Sequence, residues 1–252
     1  MNDKEEQLFA KRLLELANSA YYKGIPKYTD FMNLNEISIF LSMLKELPKI
    51  DYRFEGGYDG AERKILSFYQ KESYIEPEFD IAILEIKPLN AKFSDDLTHR
   101  DYLGAILNLG IDRSKTGDIL LMEDKTYLFC DGRIATFLTD SLCKIKHTNV
   151  SCRQVDHADF HYEPKFEQIS GSISSERIDC VIPLAFKGSR SGMSHLIAAG
   201  KVYVNGKLMQ SNSYQLKEDD VISVRGYGKF IYKGYTNQTK KGRFYATLLK
   251  YI

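Results

Sequence analysis

The residues with most to offer chemically lie between Lys187 and Lys207, in KGSRSGMSHLIAAGKVYVNGK. The stretch carries Lys187, Arg190, Lys201, Lys207 and His195 beside hydroxyls at Ser189, Ser191 and Ser194, and it holds no carboxylate and no cysteine. Covalent catalysis needs a nucleophile activated by a neighbouring base. A metal site needs clustered anionic or soft ligands. Cations and short hydroxyls without either suit phosphate oxygens instead. Ser189 reads as the N-cap of a short helix and Gly200 as its stop. Arg190 then falls in the first turn, where unpaired backbone N–H groups and the helix dipole already favour an anion. Met193, Leu196 and Ile197 form the apolar stripe of this helix. Ser191, Ser194 and His195 face the other way beside Ala198, a short-chained surface that a sugar–phosphate backbone can approach.

The elements around this helix extend the surface. ERIDCVIPLAF reads as a preceding helix starting after Arg177, with Ile178, Val181, Ile182 and Ala185 inward. KVYVNGKLM is a hairpin signal, since Asn-Gly supplies both positive-φ positions of a tight turn. Val202 and Val204 are expected to point inward, leaving Lys201, Tyr203 and Asn205 on the open face, with Lys207 just beyond the turn. EDDVISVRGYGKFIY supplies a turn and a strand that delivers Arg225 and Lys229. The expectation is two short helices and a small twisted sheet carrying cations on one side. No Arg/Asn set on one helix suggests a base code, so the contacts should position phosphates.

Net charge separates this end from the rest. From Arg177 onward there are 13 Lys plus Arg against 4 Asp plus Glu, a net of +9; the preceding 176 residues carry 22 against 30, a net of −8. Such asymmetry marks a polyanion-binding end on an ordinary body.

Other apparent chemistry is weaker. His99-Arg100-Asp101 resembles a kinase catalytic loop, but Ile106 stands where that loop needs Asn, and no glycine-rich phosphate loop or Asp-Phe-Gly accompanies it. Asp101 reads better as a helix cap. His157 and His161 have metal-ligand spacing only on a helix, which Pro164 opposes. GYGKFIYKG precedes no helix and lacks the dinucleotide fingerprint. Cys130, Cys143, Cys152 and Cys180 are scattered and read as reduced, mostly buried thiols. No catalytic residue, cofactor or metal is expected. No apolar run approaches the ~20 residues needed to span a bilayer. The start, MNDKEEQ, lacks a secretory pattern, so a cytoplasmic protein is expected.

The first ~75 residues read as mainly helical. One stripe runs Leu8, Leu13, Leu14 and Ala17; a second runs Leu34, Ile37, Leu41 and Leu44, and Pro48 stops it. DYRFEGGYDGAERKILSFY suggests a short strand, a turn at Gly56 and Gly57, and another helix. From Phe79 the rhythm changes to strand, helix with Thr98 as N-cap and Gly110 as stop, hairpin around Glu123-Asp124, helix, strand. That β-α-β-β-α-β order is ferredoxin-like, a fold of many RNA-binding modules and many unrelated proteins. Tyr127 and Phe129 occupy its third strand without the Lys/Arg-Gly signature of base-stacking modules. DHADFHYEPKFEQISGSISS reads as a connector ending in a short strand. The fold class is α+β.

The run RIDCVIPLAFKGSRSGMSHLIAAGKVYVNGKLMQ…DDVISVRGYGKF resembles the S4 domain, departing at Asp219, where that family usually has Gly. Asp tolerates left-handed geometry, so the turn is expected to survive. THRDYLGAILNLGIDRSKTGDIL is similar to the signature of the YlmH family, bacterial proteins with an N-terminal domain, an RNA-binding middle domain and a C-terminal S4 domain. By that resemblance the domains are residues 1–75, 76–165 and 177–240, with an extension to 252. The resemblance implies binding to the large ribosomal subunit through 23S rRNA and peptidyl-tRNA, in ribosome-associated quality control, with a nascent-chain tailing factor as a further partner and a link to cell division. It also places Arg190, Ser191, His195 and Lys201 in the RNA-contacting region. Two other readings are an RNA-modifying enzyme, of pseudouridine synthase or methyltransferase type, targeted by its S4 domain, and a cell-division scaffold.

Overall fold

A computed structural model describes residues 3–71, 75–90, 92, 94–238 and 243–252, so the boundary expected at 240 lies outside the described residues. The chain divides after Tyr162 into two compact units.

The first unit opens with α1 (Asp3–Lys23), β1 (Lys27–Tyr28), α2 (Leu34–Ser42), β2 (Asp51–Glu55) and β3 (Ile65–Tyr69). Leu13, Ala17 and Ala20 form the buried stripe of α1. Leu8, expected on that stripe, is 70% exposed. It lies five residues before Leu13, roughly 140° round the helix. Asn33 caps α2, accepting from the Asn35 and Glu36 N–H groups at 2.9 and 3.2 Å while Glu36 accepts from the Asn33 N–H at 2.7 Å. The helix stops at Ser42 and the next turn is a 3-10 turn, so α spacing does not reach Leu44, which is exposed; Phe40 and Met43 are buried instead. The helix expected after Gly57 is strand β3, the centre of a sheet ordered β1-β3-β2. Ile65, Leu66, Ser67 and Phe68 are all buried, and a central strand buried on both faces loses the alternation that marks a strand.

The unit continues with β4 (Ile81–Pro88), α3 (His99–Asn108), β5 (Thr116–Leu121), β6 (Thr126–Asp131), α4 (Gly132–Ser141), β7 (Lys144–Ile145) and β8 (Thr148–Val155). The sheet order is β5-β6-β4-β8-β7, antiparallel throughout, as the ferredoxin-like reading requires. The Thr98 N–H donates to Asp101 Oδ2 at 2.8 Å, and Gly110 ends α3 at φ +81. Alternation sends Ala82, Leu84, Ile86, Leu128 and Cys130 into one core with Tyr102, Ile106, Ala135 and Leu138 of the two helices. Ile81, Ile83, Tyr127 and Phe129 point to the opposite face, where Phe31, Ile65, Tyr58 and Phe160 pack over them.

The second unit comprises β9 (Phe166–Ile173), α5 (Ile178–Phe186), α6 (Arg190–Ala198), β10 (Val202–Val204), β11 (Lys207–Leu208), β12 (Val221–Val224), β13 (Gly228–Gln238) and β14 (Phe244–Tyr251). Its sheet has six strands in the order β11-β10-β12-β13-β14-β9. It is larger than the small sheet expected, because the supposed connector supplies β9, paired with β14 over its whole length. Both helices pack on one face, burying Ile178, Val181, Ile182, Ala185, Met193, Leu196 and Ile197 against Val202, Val204, Ile222, Val224, Phe230, Tyr232, Ala246 and Leu248. Asn205 and Gly206 turn the hairpin at φ +50 and +80. Asp219 takes φ +68 and its N–H donates to the Tyr232 carbonyl at 2.7 Å, so the turn survives without glycine.

Candidate nucleic-acid interface

Ser189 caps α6, its hydroxyl accepting from the Gly192 N–H at 3.1 Å. Arg190, next in sequence, turns back to Asp179 in α5, donating from Nε and Nη2 to Oδ2 at 3.1 and 2.6 Å. Arg177, at the start of α5, donates to the same carboxylate from Nε and Nη2 at 3.0 and 3.1 Å. Asp179 is 4% exposed. Burial pushes its carboxyl up, but hydrogen bonds from Arg190 and Arg177 outweigh this and hold it below the usual aspartate value. Two guanidinium groups thus share one carboxylate, a net positive charge. Each offers Asp179 only its Nε/Nη2 edge, which leaves Nη1 for an incoming oxygen.

The remaining residues on this side are short or flexible. Lys187 ends α5 in the left-handed region at φ +53 and is exposed. Ser191 and His195 are exposed, and the Ser194 hydroxyl donates to the Arg190 carbonyl at 2.8 Å. Lys201 and Lys207 are exposed at the rim of the sheet.

Tyr203 departs from expectation. It does point away from Val202 and Val204, but it is 2% exposed rather than on an open face. The Arg225 guanidinium lies 5.8 Å above its ring, with Nη2 3.3 Å from its hydroxyl. Tyr203 therefore supports Arg225. Lys229, in register with Ser223 and so with Tyr203, places Nζ 4.2 Å from the centre of the Tyr251 ring. Asn205 uses its side chain within the fold, donating to Asp220 Oδ1 at 2.8 Å and accepting from the Val221 N–H at 2.9 Å. The cations are not on one side. Arg177, Lys187 and Arg190 lie with the helices, while Arg225 and Lys229 lie with Tyr203 on the opposite sheet face. Asp179 was visible in the sequence two residues after Arg177, but its sharing between two arginines depends on how α5 meets α6. The place of Tyr251 depends on strand pairing that no local signal announces.

In the first unit, the run from Thr98 to Leu120 proves to be a clamp. Asp118 accepts from the Tyr58 hydroxyl at 2.8 Å and from the Glu62 and Arg63 N–H groups at 2.7 and 3.1 Å. Arg63 donates to the carbonyls of Thr116 and Phe31, both at 2.9 Å, and Arg113 to those of Thr116 and Gly117 at 3.0 and 2.9 Å. Burial, then the neighbouring Arg63, pushes Arg113 down to about 10. His157 Nε2 lies 2.9 Å from the Ile81 carbonyl. Burial pushes the Cys130 and Cys152 thiols up to about 12, away from nucleophilic use. Tyr127 and Phe129 are 3% and 0% exposed, so the sheet face that would stack bases is closed by the chain's own rings.

The chain is similar to known proteins over both units. The family model "Putative RNA-binding domain in YlmH" matches residues 75–159, and the S4 domain model matches residues 176–222. The chain is 30% identical over 248 residues to ribosome-associated protein quality control protein P2 of Bacillus subtilis (strain 168), covering 97% of this chain and 95% of that one. A solved structure, cell division protein ylmH from Streptococcus pneumoniae, superposes with a TM-score of 0.50 at 23% identity, over 63% of this chain and 96% of that chain, a likeness of fold. No helix among the described residues is long and apolar enough to cross a membrane.

Proposed function

The chain belongs to the YlmH family, and from that membership we infer a non-enzymatic RNA-binding protein of the large ribosomal subunit, acting in quality control of stalled nascent chains. The observation that carries this reading is the pair of guanidinium groups, one at the start of each helix, held on Asp179 of α5, within a segment of net charge +9. Preorganised arginines beside a helix start bind phosphate without reading bases, which suits a folded RNA presented by a ribosome. In this reading residues 177–240 grip 23S rRNA, and peptidyl-tRNA and a nascent-chain tailing factor belong to the same complex. The protein then works in the cytoplasm.

The test is co-sedimentation with purified large subunits. Arg190→Ala combined with Lys201→Ala should leave the protein folded and move it from the subunit fraction to the supernatant. Unchanged co-sedimentation of this double variant would remove the proposed grip. Binding that survives ribonuclease digestion of the subunits would point to a protein scaffold.

A further inference from the structure

The chain's own rings fill one half of the ferredoxin-like sheet face; the other half is built differently. Along β4 the residues on that face are Ile81, Ile83, Glu85 and Lys87. The first two lie under the aromatic cover. Beyond them Glu85 sits 4% exposed on the central strand, between Tyr127 of β6 and Arg153 of β8. Three cations converge on it from three places. Arg153 donates from Nε at 2.8 Å and Nη2 at 2.7 Å, Lys87 lies at 3.3 Å, and Lys125 of the β5–β6 turn lies at 3.4 Å.

One buried carboxylate is satisfied by one well-made partner, and three leave a net charge of two at this end of the sheet. Burial pushes the Glu85 carboxyl up, yet hydrogen bonds from Arg153 and Lys87 bring it below the usual glutamate value, so it stays charged and holds its cations in place. Arg153 is 69% exposed, so its guanidinium meets solvent while anchored from beneath. The groove over this cluster has a volume of about 470 Å³. Its opposite end, past Val155, is lined by Asp156 and Asp159. Asp156 lies three residue steps beyond Arg153, just past the end of β8, roughly 10 Å at the usual strand rise. This polarity stands out in a segment, residues 1–176, whose net charge is −8.

We propose that this groove holds one nucleotide of an RNA strand, its phosphodiester against Lys87 and Arg153 and the amino or N–H edge of its base toward Asp156 and Asp159. The inference rests on the RNA-binding reading above and adds a second contact, made without the closed aromatic face. The two contacts would let one molecule hold two RNA segments.

The experiment uses the full-length protein and deproteinised large-subunit rRNA as probe. Lys87→Gln with Arg153→Gln should weaken binding roughly tenfold and flatten the log–log salt dependence by roughly 0.7 for each phosphate no longer held. Arg190→Ala with Lys201→Ala should weaken it separately. Ultraviolet crosslinks on the unaltered protein, mapped by peptide mass, need no variant to fold; attachment at Lys87, Lys125 or Arg153 supports the groove. Crosslinks confined to residues 177–229, with affinity and salt slope unchanged in the Lys87/Arg153 pair, would overturn the groove and leave the S4 grip standing. Failure of the unaltered protein to bind rRNA would overturn both.

Discussion

The ring of Tyr58 lies stacked on that of Phe129, with centroids 4.9 Å apart and planes at 29°. One face of the stack belongs to the loop after β2 and the other to the third strand of the ferredoxin-like sheet. Asp118 fixes the far end of Tyr58 through its hydroxyl. The pair therefore does inside the protein what a base and an exposed ring do in many RNA-binding modules.

If Phe129 is a core ring, Phe129→Ala should cost about 3–5 kcal/mol of stability. RNA affinity per folded molecule should stay unchanged. Urea unfolding followed by rRNA binding on the folded fraction separates the two quantities. A drop in affinity with little loss of stability would put the ring on a binding surface.

Gly57 lies against the same ring at φ +91, and a Cβ there would come within 2.5 Å of Phe129 Cδ1. Gly57→Ala combines a left-handed backbone with overpacking, so a loss of about 2–4 kcal/mol is expected. Thermal or urea unfolding measures it, and a neutral result would mean that the loop can lift from the sheet at little cost.

Asp179→Asn removes the carboxylate shared by Arg177 and Arg190. Both guanidiniums are partly exposed, so the loss should be about 1–3 kcal/mol rather than that of a fully buried pair. The folded aspartate titrates below its ordinary value. Its stabilisation is therefore full above about pH 3.9 and fades as the pH falls through the lower folded value. Unfolding curves of protein and variant should differ by a constant amount near neutrality and converge in acid. A gap that persists in acid would assign the effect to packing.

RNA affinity should fall with salt, with a log–log slope of about −0.7 for each single-strand phosphate contacted. Filter binding across a salt series measures the slope. A salt-independent affinity would mean that the basic end is not the binding surface.

What is legible in the residues and what is hidden follow one physical division. Ser189, Gly200, Asn205-Gly206 and Thr98 act through local backbone chemistry, and each appears in the structure in the role its residue type suggests. Residues whose role depends on distant partners carry no such local sign. Ile65 to Phe68 form a central strand because two neighbours cover it, and a short run without alternation resembles helix as much as strand. Alternation along its strand turns Tyr203 away from the core, but its burial under Arg225 is a matter of which side chain lies down over it. Leu8 and Leu44 belong to apolar patterns that the actual helix phase and helix end leave in solvent. Glu85 reads as one carboxylate in an apolar strand until two strands and a turn bring its cations together.

The eight paired positions between β9 and β14 join residues 166–173 to residues 244–251. The similarity to S4 domains spans only residues 176–222 and stops inside β12. A fragment cut at those bounds would lack Phe230, Tyr232, Ala246 and Leu248, each fully buried. It would also leave β12 as a raw edge, open to pairing with other chains. The stretch matched by the S4 model is thus smaller than the stretch that folds. Transplanting this surface into another protein would require the whole span from Phe166 to Tyr251.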